Sequence, residues 1–166
     1  MKLFVFDFDN TLFKSPYPPK DWKGPWWKIN VSLIPPVVPE KPDISWWNKQ
    51  LLDKVIECSQ QPNSYTILLT GREEKEFKNR VHQLLDQVSI TNYFDFIGLN
   101  DGGETIDAKI RYLNKFLSKD SRINEVEFWD DRKIHVQPFK DWASRNKLAC
   151  IHNLVGPFTK EVEALP

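Results

Sequence analysis

Long apolar runs are missing from this 166-residue sequence. None approaches the roughly 20 residues that a membrane-spanning helix needs. Asp7 and Asp9 break the hydrophobic N-terminus, so it cannot serve as a signal-peptide core. A bilayer span is thereby excluded, and the cytoplasm is the expected compartment. Cysteine is scarce too. Cys58 and Cys150 stand alone and form no CxxC, which removes both a disulfide framework and a zinc site. An excess of either charge is also absent: Lys plus Arg and Asp plus Glu each total 23, so any nucleic-acid partner must be held by a local patch.

What is present is an alternation of short β-rich runs with helical patterns. "KLFVFDF" is a strand too brief for a helix, closed by an Asp-Asn-Thr turn signal. From Trp46 to Gln61, Trp47, Leu51, Leu52, Val55 and Ile56 fall on one helical face. "YTILLTGR" repeats the opening pattern and ends in Thr70, Gly71 and Arg72. Phe77, Val81, Leu84, Leu85 and Val88 mark a second helix, "FDFIGL" a third strand, and Ile106, Ile110, Leu113 and Leu117 a third helix. "EVEFWDDR" is a strand ending in acids, Phe139, Trp142 and Ala143 lie on a last helix, and "LACIHNLV" is a fifth strand. The expected fold is α/β and Rossmann-like, with a central parallel five-stranded sheet and helices on both faces. A single domain over 1–166 is expected, with an insertion at 14–45.

In open α/β sheets, ligands bind beyond the carboxyl ends of the strands, where strand order switches. Asp7 with Asp9, Thr70 to Arg72, and Asp130 with Asp131 all fall at such ends. Carboxylates crowded together need a divalent cation, a shared proton or both. Hard oxygen donors suit Mg²⁺, with Asp7, Asp9, Asp130 and Asp131 as candidate ligands. Alternation along the strand makes one of Asp130 and Asp131 the direct ligand and the other a partner through water. Asp7 is the candidate nucleophile, forming an acyl phosphate, and Asp9 the group that protonates the leaving oxygen. Thr70 offers its hydroxyl, Gly71 and Arg72 their amides, and Lys109 its charge. Thr11 joins the substrate-binding set. The chemistry is phosphoryl transfer.

These residues resemble the haloacid dehalogenase superfamily. Its signature of Asp-x-Asp-x-Thr, a strand-two Thr, a Lys and paired acids ending strand four is matched by Asp7-Phe-Asp9-Asn-Thr11, Thr70, Lys109 and Asp130-Asp131. Members that act as dehalogenases or P-type ATPases lack an acid at the position of Asp9, so the resemblance implies a phosphatase. "VFDFDNTLFKSP", the tryptophan pairs before the first helix, "LLTGREE" and "FWDDRKIHVQPF" resemble more closely the phosphatase-like domain of Swiss-Army-knife RNA repair proteins. The Asp131-Arg132 end of the last motif is also similar to the phosphatase half of polynucleotide kinase-phosphatases. That resemblance implies a phosphorylated nucleic-acid end, RNA in particular, as substrate. No Gly-x-x-x-x-Gly-Lys-[Ser/Thr] loop is present, so separate polypeptides are the expected repair partners.

Several assignments have rivals. Lys109 lies just off its helix's apolar stripe and also reads as a solvated lysine. Arg72 reads either as a phosphate clamp or as a helix-start surface residue. His135 reads equally as a packed or capping residue and as a substrate contact. The 14–45 stretch is too short for a cap domain and is expected as a Pro/Trp-rich flap over an open site. Between Lys14 and Ile34, four lysines face one acid, Asp21, among Tyr17, Trp22, Trp26 and Trp27. Such a mixture suits nucleotides, with Trp26 and Trp27 as base-stacking candidates, but tryptophan and proline also build self-packed loops. The competing functions are a small-molecule phosphatase for a nucleotide or sugar phosphate, a phosphoprotein phosphatase, and a catalytically silent binding module.

Overall fold

Period-two alternation in the first strand sends Leu3 and Val5 to one side and Phe4 and Phe6 to the other, and each pair joins a different core. The computed structural model describes residues 1–156. The expected domain and its limit at 166 therefore run past the described residues. Along the chain come β1 (Lys2–Phe6), α1 (Lys49–Ser59), β2 (Ser64–Glu73), α2 (Glu74–Gln87), β3 (Phe96–Asn100), α3 (Thr105–Lys119), β4 (Glu125–Asp130), α4 (Val136–Arg145) and β5 (Ala149–Leu154). The strands form one parallel sheet in the order β3-β2-β1-β4-β5. One core packs Phe4, Phe6, Leu68 and Trp129 against α1, α2 and the insertion. The other packs Leu3, Val5, Ile67 and Phe128 against α3 and α4. Both faces are thus covered, as expected. Among the described residues, no helix is long and apolar enough to cross a membrane.

The chain steps outward from β1 to β2 and β3, then returns to lay β4 against the other side of β1. The switch in strand order therefore falls between β1 and β4, and just past the end of β1 the Asp7 amide donates to the Trp129 carbonyl of β4 at 2.9 Å.

Two element limits depart from the sequence reading. Helix α1 starts at Lys49, because the Asn48 side chain caps it by accepting from the Leu51 amide, while Ile44–Trp46 form a 3₁₀ turn. Strand β2 does not stop at Thr70. It bulges, placing Leu69 and Glu73 opposite Gly98 and Asn100, and so carries Thr70, Gly71 and Arg72 on an interrupted strand. Gly71 is required there by close approach: an added Cβ would lie 2.5 Å from the Thr105 hydroxyl at the start of α3.

The insertion at 14–45 is bolted to the sheet's helices rather than hanging free. Trp26, Leu33, Val37 and Val38 are buried in the first core. From α2, the buried Arg80 donates to the carbonyls of Leu33 (2.8 Å), Pro39 (2.8 Å) and Glu40 (3.0 Å). Such a fork satisfies carbonyls that a loop without a ladder leaves unpaired. Arg80→Leu is expected to destabilise the chain by about 3 kcal/mol, since each buried acceptor left unpaired costs roughly 1–3 kcal/mol. The loss would appear as a lower denaturation midpoint with faster proteolysis inside 14–45. An unchanged midpoint and cleavage rate would remove Arg80 as the anchor.

Candidate active site

Two parallel neighbours end in acids. Asp7 follows β1 directly, Asp130 is the last residue of β4, and Asp131 comes next. Each offers a carboxylate oxygen within 4.8 Å of the others. Lys109 reaches in from α3, its Nζ 3.0 Å from Asp7 Oδ1 and 3.3 Å from Asp130 Oδ2. It is buried, so the solvated-lysine reading fails. Burial opposes its charge, but Asp130 and Asp7 together more than offset that and hold its pKa above the ordinary lysine range.

The acids are not equivalent. Burial pushes Asp130 up, yet Lys109, the hydrogen bond from His135 and the Arg132 amide outweigh it and hold the carboxyl well below its usual range. The Arg132 amide donates to Asp130 Oδ1 at 2.7 Å, and His135 Nδ1 stands 3.3 Å from Oδ2. His135 is therefore a buried partner of Asp130, in a 3₁₀ turn before α4. Burial raises Asp7 well above the carboxylate range, with Lys109 opposing and Asp130 and Asp131 adding to it. Burial raises Asp131 likewise, with Asp130 and Asp9 adding to the shift. Thr11 donates weakly to Asp7 Oδ2 at 3.4 Å. Three acids against one lysine leave the cluster short of positive charge, and its donors are all hard oxygens. That set fits Mg²⁺.

Asp9 was expected among the metal ligands, and its side chain lies elsewhere. Arg72 grips it with Nε at 3.1 and 3.0 Å from its two oxygens and Nη2 at 2.8 Å, and the Ser15 hydroxyl also donates to it. The carboxyl is held two residues along the chain from Asp7 but outside the three-acid cluster. Arg72 is corrected with it: the guanidinium does not wait for phosphate but spends its donors on Asp9, on the Ser32 hydroxyl (2.6 Å) and on the Trp27 carbonyl (3.4 Å). Its amide is committed too, donating to Thr70 Oγ1 at 3.1 Å. Of the expected phosphoryl donors, Gly71 lines the pocket, whereas Thr70 is buried beneath it. Trp26 is a further correction. It is only 3% exposed and its Nε1 donates to the Pro16 carbonyl at 2.8 Å, so it has no face for a base.

A cavity of about 460 Å³ opens above these groups. Asp7, Asp9, Lys109 and Asp131 line its base, and Tyr17, Trp27, Arg132, Lys133 and Ile134 line it as well. Asn10, which the sequence reading passed over, is there too. It adopts φ 55°, a left-handed geometry that asparagine tolerates, and its buried Oδ1 has no partner among the described residues. Ser15, six positions from Asp9, and Ser32, forty from Arg72, were also missed, because an irregular loop has no local pattern that says where a hydroxyl points.

Over residues 17–165 the chain matches the family described as HAD domain family 1 in Swiss Army Knife RNA repair proteins. It is 26% identical over 197 residues to the uncharacterized protein YMR265C of Saccharomyces cerevisiae, covering 97% of this chain and 41% of that protein. Its fold is similar to a chain in the structure of a Pnkp1/Rnl/Hen1 complex, with a TM-score of 0.57, 22% identity, and coverage of 95% of this chain and 46% of that one. A chain of the Pnkp1/Rnl/Hen1 RNA repair complex matches with a TM-score of 0.54 and 20% identity, over 95% of this chain and 43% of that one. This chain thus spans less than half the length of these relatives.

Proposed function

The chain belongs to HAD domain family 1 of Swiss Army Knife RNA repair proteins, and from that premise we propose that it is a Mg²⁺-dependent phosphatase acting on phosphorylated nucleic-acid ends, RNA ends in particular. The observation that carries the reading is the buried Lys109 bridging Asp7 and Asp130, with Asp9 held alongside by Arg72. Asp7, Asp130 and Asp131 would hold the ion, which when bound supplies charge neutralisation to the phosphoryl oxygens.

Within this reading, Asp7 attacks phosphorus as the bond to the leaving oxygen breaks, and Asp9 gives that oxygen a proton. Asp9 then takes a proton from water, which attacks the aspartyl-phosphate and frees inorganic phosphate with Asp7 restored. Lys109 faces the charge that builds on the phosphoryl oxygens. Arg72 and Ser15 fix the direction of the Asp9 carboxyl, and His135 and the Arg132 amide fix Asp130. The family and the RNA repair complex of similar fold support the RNA-end substrate. The likeness to chains of a repair complex also supports other repair enzymes as companions.

The testing experiment is a hydrolysis screen of 3′- and 5′-phosphorylated RNA and DNA oligomers beside mononucleotides, sugar phosphates and a phosphopeptide, with and without a chelator. Phosphate release from an oligonucleotide end is expected to exceed that from the other classes. A chelator is expected to stop it while circular dichroism stays unchanged, because the ion completes a preformed acidic cup. A faster reaction on mononucleotides or sugar phosphates would replace the RNA-end substrate, and full activity in excess chelator would remove the metal.

A further inference from the structure

The corrected position of Trp26 leaves its neighbour to be explained. Trp27 is 36% exposed at the pocket, with Tyr17 at 48% and Ile134 at 69%. Large apolar side chains exposed around a charged catalytic cluster mark a binding surface. Trp27 is also held firmly. The Arg72 guanidinium carbon sits 5.2 Å from its ring centroid, and the Tyr17 ring meets it edge-on at 5.8 Å. Arg72 itself is fixed by Asp9 and Ser32. The indole is therefore a pre-organised platform, which lowers the ordering cost of binding.

The cations at the same mouth differ from those at the base. Lys109 and Arg72 are buried in ion pairs, whereas Arg132 and Lys133 are exposed and form no salt bridge among the described residues. Two free cations beside an aromatic shelf fit a ligand that carries a second phosphate and a flat ring.

We infer that this mouth is a slot for a single unpaired nucleotide of a phosphorylated strand. Trp27 and Tyr17 take the base, Ile134 closes the other side, and Arg132 and Lys133 meet the next backbone phosphate. The inference rests on the phosphatase reading for the position of the reacting phosphate. The cavity of about 460 Å³ has room for a nucleotide-sized group, whereas a duplex end brings a whole base pair and a second strand to the same mouth. A phosphopeptide could meet Arg132 and Lys133 with its phosphate, but it brings no flat base for the Trp27 indole, and the sheet offers it no edge at this pocket. The strands that end at the pocket, β1, β2 and β4, are interior; β3 and β5 are the edges.

The test measures binding and hydrolysis separately. Binding uses the Asp7→Asn chain and labelled short single-stranded RNA and DNA with a phosphate at either end, the same end in a blunt duplex, and a phosphoserine peptide. The single strands are expected to bind tightest, and the RNA and DNA arms show whether the sugar matters. Adding Trp27→Ala is expected to weaken them by roughly 5- to 150-fold, the range for removal of one base stack. Because Trp27 touches Arg72, Ile134→Glu is a second probe at a position too exposed to unfold the chain, and it too is expected to weaken the single strands. Arg132→Ala and Lys133→Ala are expected to flatten the salt dependence, its slope falling by about 0.7 for each phosphate that no longer meets a cation. Unchanged affinity in both Trp27→Ala and Ile134→Glu, or tighter binding of the duplex or the phosphopeptide, would overturn the slot. Hydrolysis of phenyl phosphate by the unaltered chain reads the phosphatase separately. Turnover without single-strand preference defeats the slot alone, and single-strand preference without any turnover defeats the phosphatase alone.

Discussion

Asp7→Asn is expected to lose turnover on every phosphate ester while the chain stays folded. Asparagine keeps the size and the turn but cannot attack phosphorus, and removal of a covalent nucleophile has cost on the order of 10⁶-fold in kcat elsewhere. The stability side follows from the site's electrostatics. Burial raises Asp7 above its ordinary range, with Asp130 and Asp131 adding to the shift and Lys109 opposing it. A carboxyl raised on folding carries a penalty that is absent below its unfolded pKa and grows as pH rises toward its folded one, so Asp7 costs the metal-free chain stability above the ordinary carboxylate range. Lys109 keeps Asp130 at 3.3 Å when Asp7 is neutralised. In chelator, Asp7→Asn is therefore expected to melt at or above the native temperature, and thermal denaturation beside a phosphate-release assay checks both halves. Ready turnover by the folded variant would end the nucleophile assignment.

The legible parts of this chain were those written in local pattern. β1 was readable because Leu3, Phe4, Val5 and Phe6 form an apolar run broken by acids, and the sheet because that pattern recurs between helical stripes. The three-acid cluster was readable because strand ends of a parallel sheet converge. What escaped was pairing across sequence distance. Asp9 and Arg72 lie 63 positions apart, and each seemed free for phosphate or metal until the fold brought them together. Trp26 and Trp27 are adjacent, one 3% and the other 36% exposed, and a loop without periodicity gives no rule for which faces the core. The bulge in β2 escaped because Thr70-Gly71-Arg72 reads as a turn, while the close packing of Thr105 on Gly71 is a contact across sequence distance.

Lys109→Met is expected to produce the largest stability change in the site and one that Mg²⁺ reverses in part. Methionine keeps most of the buried volume, so the variant isolates the charge. Asp7 and Asp130 would lose the cation at 3.0 and 3.3 Å, and removing one partner from a buried ion pair costs about 3–5 kcal/mol. The sign is fixed by linkage. Burial works against the Lys109 charge, but Asp130 and Asp7 raise its pKa above the unfolded value. Its stabilising contribution is therefore complete below the ordinary lysine pKa and fades only as pH rises through the folded one, so the full loss shows at neutral pH. A divalent ion bound by Asp7, Asp130 and Asp131 would take over part of that neutralisation and stabilise the variant by mass action. Turnover is a separate matter: with the ion bound, the ammonium facing the phosphoryl oxygens is still missing, and kcat is expected to fall roughly 10²–10³-fold. Urea titrations of both chains, with Mg²⁺ and with chelator, test the first claim, and saturating-substrate rates test the second. A variant as stable as the native chain in chelator would mean that Lys109 does not hold the acids together.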